Sequence, residues 1–193
     1  MSLEKVLVCL LDALFQAIAA TMITIKQIGE RPFKDKIKFF VSIYIYFVIC
    51  YLFIPNQLRF VLYIFFASFI LNFSLKINDK KMLIYSFNSE VIASISELII
   101  SLLLVILGLD SVDIVSNDFY NLLANLLISG LSIILINIKF IYKILIKIVD
   151  IFDKNSKFTR YFYVFIFILY LLLLKNGFEF LMKSNYYINI FFI

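Results

Sequence analysis

The chain has 193 residues, of which 64% are hydrophobic and 18% aromatic, with a mean hydropathy of +1.03. A soluble globular domain carries an apolar share of about 45–50%, so the composition indicates an integral membrane protein, one membrane domain over 1–193 with no room for a sizeable soluble catalytic domain. Histidine is absent, which excludes a phospho-accepting histidine, a histidine-based triad and histidine metal ligation on this chain. The net charge of +5 is scattered between apolar runs, so a lipid bilayer, not nucleic acid, is the expected partner.

Long continuous apolar runs with little alternation favour transmembrane helices over a β-barrel. The expected fold is all-α: a polytopic bundle of six spans, at about 6–25, 37–54, 58–75, 82–109, 119–138 and 161–182, with the apolar closing fragment 183–193 reading as the start of a seventh. The first span contains Asp12 and Gln16 one turn apart, on a face expected to point into the bundle. A charge inside its apolar run, with further spans behind it, argues for a retained helix and against a cleaved leader. A hydrophilic loop, 26–38, follows, with Gly29 and Pro32 as breakers.

Spans two and three are joined by IPNQLR, a tight hairpin in which Pro55 resists continuing the helix, Asn56 and Gln57 suit a polar tip and Arg59 is placed to snorkel toward headgroups. The aromatic residues Tyr44, Tyr46, Tyr51, Phe65 and Phe66 read as lipid-facing or interfacial anchors. Cys9 and Cys50 lie in separate spans without CxxC spacing and read as buried thiols.

The fourth span carries Ser86, Glu90, Ser94, Glu97 and Ser101 at intervals of four, four, three and four, a polar stripe along one helix face. A carboxylate near the bilayer centre costs roughly 3 kcal/mol on insertion scales, so this stripe is expected to face the bundle interior. Glu97, nearer the middle, is the expected buried member and Glu90 the more interfacial one. A second stripe, Asn121, Asn125, Ser129 and Ser132, runs along the fifth span, after a loop holding Asp110, Asp113 and Asp118. Along 139–160, Lys139, Lys143 and Lys147 recur every four residues. This basic linker reads equally as an amphipathic helix on an anionic leaflet and as an extension of the fifth span.

Lys and Arg alternate from loop to loop: five in 26–38, three in 76–81 and six in 139–160, against Arg59 alone in the hairpin and none in the acidic loop. By the positive-inside rule those three basic loops are cytoplasmic and the N-terminus is outside.

The segments IPNQLRF, 54–60, and ISELIISLLL, 95–104, together with the number and order of spans, resemble the membrane sensor region of accessory-gene-regulator-type histidine kinases, quorum-sensing receptors of low-GC Gram-positive bacteria. The AT-rich residue usage, heavy in Ile, Lys, Asn, Phe and Tyr, agrees with that source. The resemblance implies a bundle that binds a secreted, often cyclic, peptide at its outer side, and it maps onto Pro55, Asn56, Gln57, Arg59 and Glu97. The family continues into a phosphoacceptor histidine and an ATPase; this chain has neither. The expectation is therefore a truncated or kinase-less sensor-like module, not an enzyme and without cofactor, that forms a homodimer or pairs with an intact receptor kinase. The runner-up is a small transporter with an intramembrane carboxylate site at Glu90 and Glu97, and a third option is an accessory subunit that holds partner helices. The sequence contains no Walker-type, GxSxG, HExxH or paired-cysteine zinc pattern.

Overall fold

The computed structural model describes residues 3–54, 56–77, 79–109, 117–154, 157, 161 and 165. The described residues form six helices: α1 (Leu3–Ile28), α2 (Phe33–Phe53), α3 (Asn56–Leu75), α4 (Asp79–Ile106), α5 (Asp118–Asn137) and α6 (Lys139–Lys154). Four of them, α1, α2, α4 and α5, are long and apolar enough to cross a membrane, and α3 holds a shorter apolar stretch, Leu62–Leu75. The helical class is as expected, and the long apolar helices are consistent with a membrane protein. Of the expected sixth span only Tyr161 and Phe165 are described, both helical and exposed; the closing fragment, Pro55, Asp110 and Asp113 lie outside the described residues.

Local chemistry sets the ends. Gly29 stops α1 three residues beyond the expected boundary, taking φ +89° while its N–H donates to the Ile25 carbonyl at 2.9 Å, a left-handed terminus that glycine reaches without a Cβ clash. At the end of α4, Gly108 (φ +84°) donates to Val105 and Leu109 donates to Leu104, both at 3.0 Å. That pair of bonds is a Schellman motif. Helix α5 starts one residue before the expected span because the Asn117 side chain accepts from the backbone N–H of Phe119 (3.0 Å) and Tyr120 (3.4 Å), satisfying donors that a helix start leaves open.

The first five helices close a ring, each packing on the next, with α5 returning to α1 and α1 also touching α4 across the middle. Small residues make the close approach possible: Ala13, Ala17 and Ala20 of α1 are buried, as helix interfaces in lipid favour. Between α2 and α3 the contact is aromatic. Phe47 stacks on Tyr63 at 5.5 Å and Tyr46 lies against Phe66 at 5.4 Å. Tyr46 is thus a core residue, 7% exposed, rather than the lipid-facing anchor expected. Its ring fills the space between two helices that the tight hairpin forces together.

Large apolar side chains such as Leu7, Ile45, Phe69 and Leu102 cover the outside of the ring. One end of the bundle carries the α2–α3 hairpin. The opposite, basic end carries the connections after α1 and α3, together with α6. The chain breaks at Ile138, whose backbone is extended, and α6 folds back against α4, α5 and α1. Leu145, Val149 and Phe152 are buried while Lys139, Lys143 and Lys147 are exposed. Of the two expectations for this segment, a separate amphipathic helix is the one observed, and its apolar face rests largely on protein. A Lys81–Asp153 ion pair at 2.9 Å ties its far end to the start of α4.

Candidate functional site

Helix α4 is the polar hub of the ring, through a face other than the expected one. Ser86 accepts from Ser68 of α3 at 3.2 Å; Asn88 donates to the Gln27 carbonyl oxygen of α1 at 3.0 Å; Ser89 meets Thr24 of α1 at 3.1 Å. Farther along, Ser96 accepts from Ser132 of α5 at 2.9 Å. All eight side chains are buried. The serines also donate to, or share, backbone carbonyls one turn earlier, as with Ser96 to Ile92 at 2.9 Å and Ser132 to Ile128 at 2.8 Å. Polar groups in hydrocarbon are met in this way.

The expected stripe of Ser86, Glu90, Ser94, Glu97 and Ser101 is therefore corrected. Ser86 is buried and Glu90 half-buried, but Ser94, Glu97 and Ser101 are exposed. The buried face runs through Ser89, Ile92, Ser96 and Ile100, roughly a third of the circumference away at about 100° per residue. Contact with α1, α3 and α5 together demands that this face turn inward, and the Glu97 face is left outside. Ser129 and Ser132 are buried as the α5 stripe predicted, with Asn121 and Asn125 half-buried.

A second polar group gathers at the hairpin end from all five helices. Asp12 of α1, 2% exposed, lies against the Asn125 amide of α5, while one of its carboxylate oxygens, Oδ1, is buried without a hydrogen-bond partner among the described residues. Asn125 in turn donates to Asn121 at 3.3 Å. The Tyr51 phenol of α2 stands within electrostatic reach of Asp12, Arg59, Cys9 and Glu97. Arg59 is held at the hairpin: its Nε donates to the Ile54 carbonyl at 3.0 Å, an Nη reaches the Tyr51 carbonyl at 3.5 Å, and the guanidinium lies 4.6 Å from the Tyr51 ring centre. Carbonyls left open where α2 ends, and the face of the Tyr51 ring, give the cation its local partners.

The structure thus brings Asp12, Asn121, Asn125 and Arg59 into one neighbourhood, with Glu97 at its exposed edge. Gln16 is half-buried on the same α1 face. Glu90 is half-buried, within electrostatic reach of Glu97 on its own helix and of Tyr46 and Tyr63. Asn56 and Gln57 are in the first turn of α3.

Tyr51 and the Gln27–Asn88 and Thr24–Ser89 pairs are additions to the residues expected. Ser89 and Ser96, seven apart in α4, were the available signal for the second set. Gln27 was hidden because it falls within the expected loop. Cys50 is buried and Cys9 half-buried, both as free thiols, and the described residues hold no cluster of potential metal ligands. No family model matches the chain, and no match is found among curated proteins or solved structures.

Proposed function

We propose that the chain is a sensor-like membrane module that receives an extracellular peptide at the hairpin end of the bundle. The observation that carries this reading is the convergence of Asp12, Tyr51, Arg59 and Asn125 from four helices at that end, with one buried Asp12 oxygen that has no hydrogen-bond partner among the described residues. A ligand cation or amide donor that reaches Asp12 acts on α1 and α5 at once, and displacing Arg59 frees the α2 carbonyls. Ligand binding there shifts the packing of several helices, as a sensor requires.

The reading includes a topology. The basic end, with loops 26–38, 76–81 and 139–160, faces the cytoplasm, the N-terminus is outside, and six spans cross the cytoplasmic membrane of a low-GC Gram-positive bacterium. The chain forms a homodimer or pairs with an intact receptor kinase, and of these only the kinase supplies a phosphorylation output, since no histidine is present on this chain to accept phosphate. The resemblance through 54–60 and 95–104 to quorum-sensing receptors supports the peptide class.

A labelled cyclic peptide from the source cell, carrying a photoreactive group, tests the idea. Crosslinks to α1 near Asp12 or to the hairpin at Arg59 are expected, and they weaken at least tenfold in Asp12→Asn. Labelling confined to the basic loops refutes it. The second reading, a cation-coupled transporter with its carboxylate site at Glu90 and Glu97, gains Asp12, because Glu97 is exposed, Glu90 is half-buried and Asp12 is buried with one oxygen that has no hydrogen-bond partner among the described residues. Flux in proteoliposomes that vanishes in Asp12→Asn selects this reading over the sensor.

A further inference from the structure

The seam between α1 and α5 is open along its outer side, and two clefts follow one another down it. The first, about 570 Å³, is apolar and lies between Phe15 and Ile18 of α1 and Leu126, Gly130 and Ile134 of α5. It opens sideways: Ile18, Leu126 and Ile134 are all exposed. Gly130 deepens it, since a Cβ there meets nothing within 4 Å. The second cleft, about 620 Å³, continues from Met22 and Asn137, each one turn farther along its helix, to the basic end.

Three lysines, Lys26, Lys36 and Lys139, line this second cleft together with one carboxylate, Glu30. Glu30 pairs with Lys36 at 3.3 Å, but its side chain is 98% exposed and so strongly screened by water. Lys26 lies 5.9 Å from the ring centre of Tyr142, which α6 brings to the cleft. On the wall, the Thr21 hydroxyl is buried without a hydrogen-bond partner among the described residues.

From Lys26 back to Phe15 is eleven residues, about 16 Å at 1.5 Å per residue, close to one leaflet of a hydrocarbon core roughly 30 Å thick. The seam therefore presents a cationic, hydroxyl-bearing mouth at headgroup level and an apolar trough one acyl chain deep. We propose that it is a binding site for one anionic phospholipid, whose phosphate sits among Lys26, Lys139 and Thr21 and whose chain runs past Met22 into the trough at Gly130. A peptide helix does not fit this gradient, because the trough opens into the bilayer interior and its cations stand only at one end. Basic pockets between membrane helices take anionic headgroups in the same manner. The lipid also bridges α1, α5 and the start of α6, so its occupancy steadies the corner where the chain breaks at Ile138. The site does not depend on the peptide-sensing reading.

Native mass spectrometry of the full chain, released from micelles containing phosphatidylglycerol or phosphatidylcholine, tests this directly. One phosphatidylglycerol is expected to be retained per chain, in preference to phosphatidylcholine. In Lys26→Gln/Lys139→Gln its affinity falls at least about tenfold, whereas in Lys34→Gln/Lys154→Gln, which removes equal charge from exposed positions outside the cleft, it holds. Gly130→Leu fills the trough and also weakens retention. Equal loss in the two charge variants, or no preference for the anionic lipid, overturns the proposal. Displacement of the lipid by millimolar inorganic phosphate overturns it too, because the site would then belong to a soluble anion. Circular dichroism of each variant separates lost lipid from lost fold.

Discussion

Removing the Asn88 amide is the sharpest test of whether α4 holds the ring through its observed face. Asn88 (1% exposed) donates at 3.0 Å to the side-chain oxygen of Gln27 (4% exposed), and Gln27 also makes a long 3.4 Å donation to the Ile23 carbonyl. Interhelical hydrogen bonds in lipid average about 0.6 kcal/mol and reach about 1.7. Stranding a buried acceptor adds to this, up to about 1–3 kcal/mol in all. Asn88→Leu is therefore expected to cost about 2 kcal/mol, since it leaves the Gln27 side-chain oxygen without the Asn88 donor. Replacing both partners, Asn88→Leu with Gln27→Leu, strands nothing and recovers at least half of the loss. Reversible unfolding by sodium dodecyl sulfate in bicelles, arranged as a double-mutant cycle, measures both numbers. A coupling within about 0.3 kcal/mol of zero, the spread seen for independent sites, refutes the contact and with it the inward orientation of this face.

Other substitutions probe separate parts of the fold. Glu97→Gln is expected to change unfolding free energy by no more than about 0.5 kcal/mol, as for other exposed sites; a loss above about 1 kcal/mol in the same assay places Glu97 in a packed contact. Asp153→Asn breaks the half-exposed pair with Lys81 and is expected to cost about 0.2–1 kcal/mol. Hydrogen exchange at the end of α6 should rise at low salt and differ little from wild type at high salt. Gly108→Ala has room for its methyl group but forces a left-handed backbone, so about 1 kcal/mol of local stability is lost and amide exchange of Leu109 accelerates. Unchanged exchange there refutes the Schellman terminus.

Sequence alone determined that the described spans are helical and that several are apolar enough to cross a membrane, because apolar run length and breaker residues act locally. Gly29 and the lysine period of α6 sit where that reasoning put them, whereas Asn56 and Gln57, expected at the hairpin tip, fall in the first turn of α3. It also determined which positions are polar inside each span, such as Asp12, Asn125 and Ser132. The inward face of α4 was a tertiary decision. In water an apolar stripe turns inward by itself, but in lipid an almost wholly apolar helix has no such preference and rotates to wherever neighbours supply hydrogen bonds. Partners on α1, α3 and α5 existed for Ser86, Asn88, Ser89 and Ser96, and the face bearing Glu97 was left exposed. The same holds for Arg59, drawn to carbonyls that exist only once α2 ends beside it, and for Tyr46, buried only because α2 and α3 close on each other. Periodicity names the polar residues of a span; the set of neighbouring helices decides which of them meet.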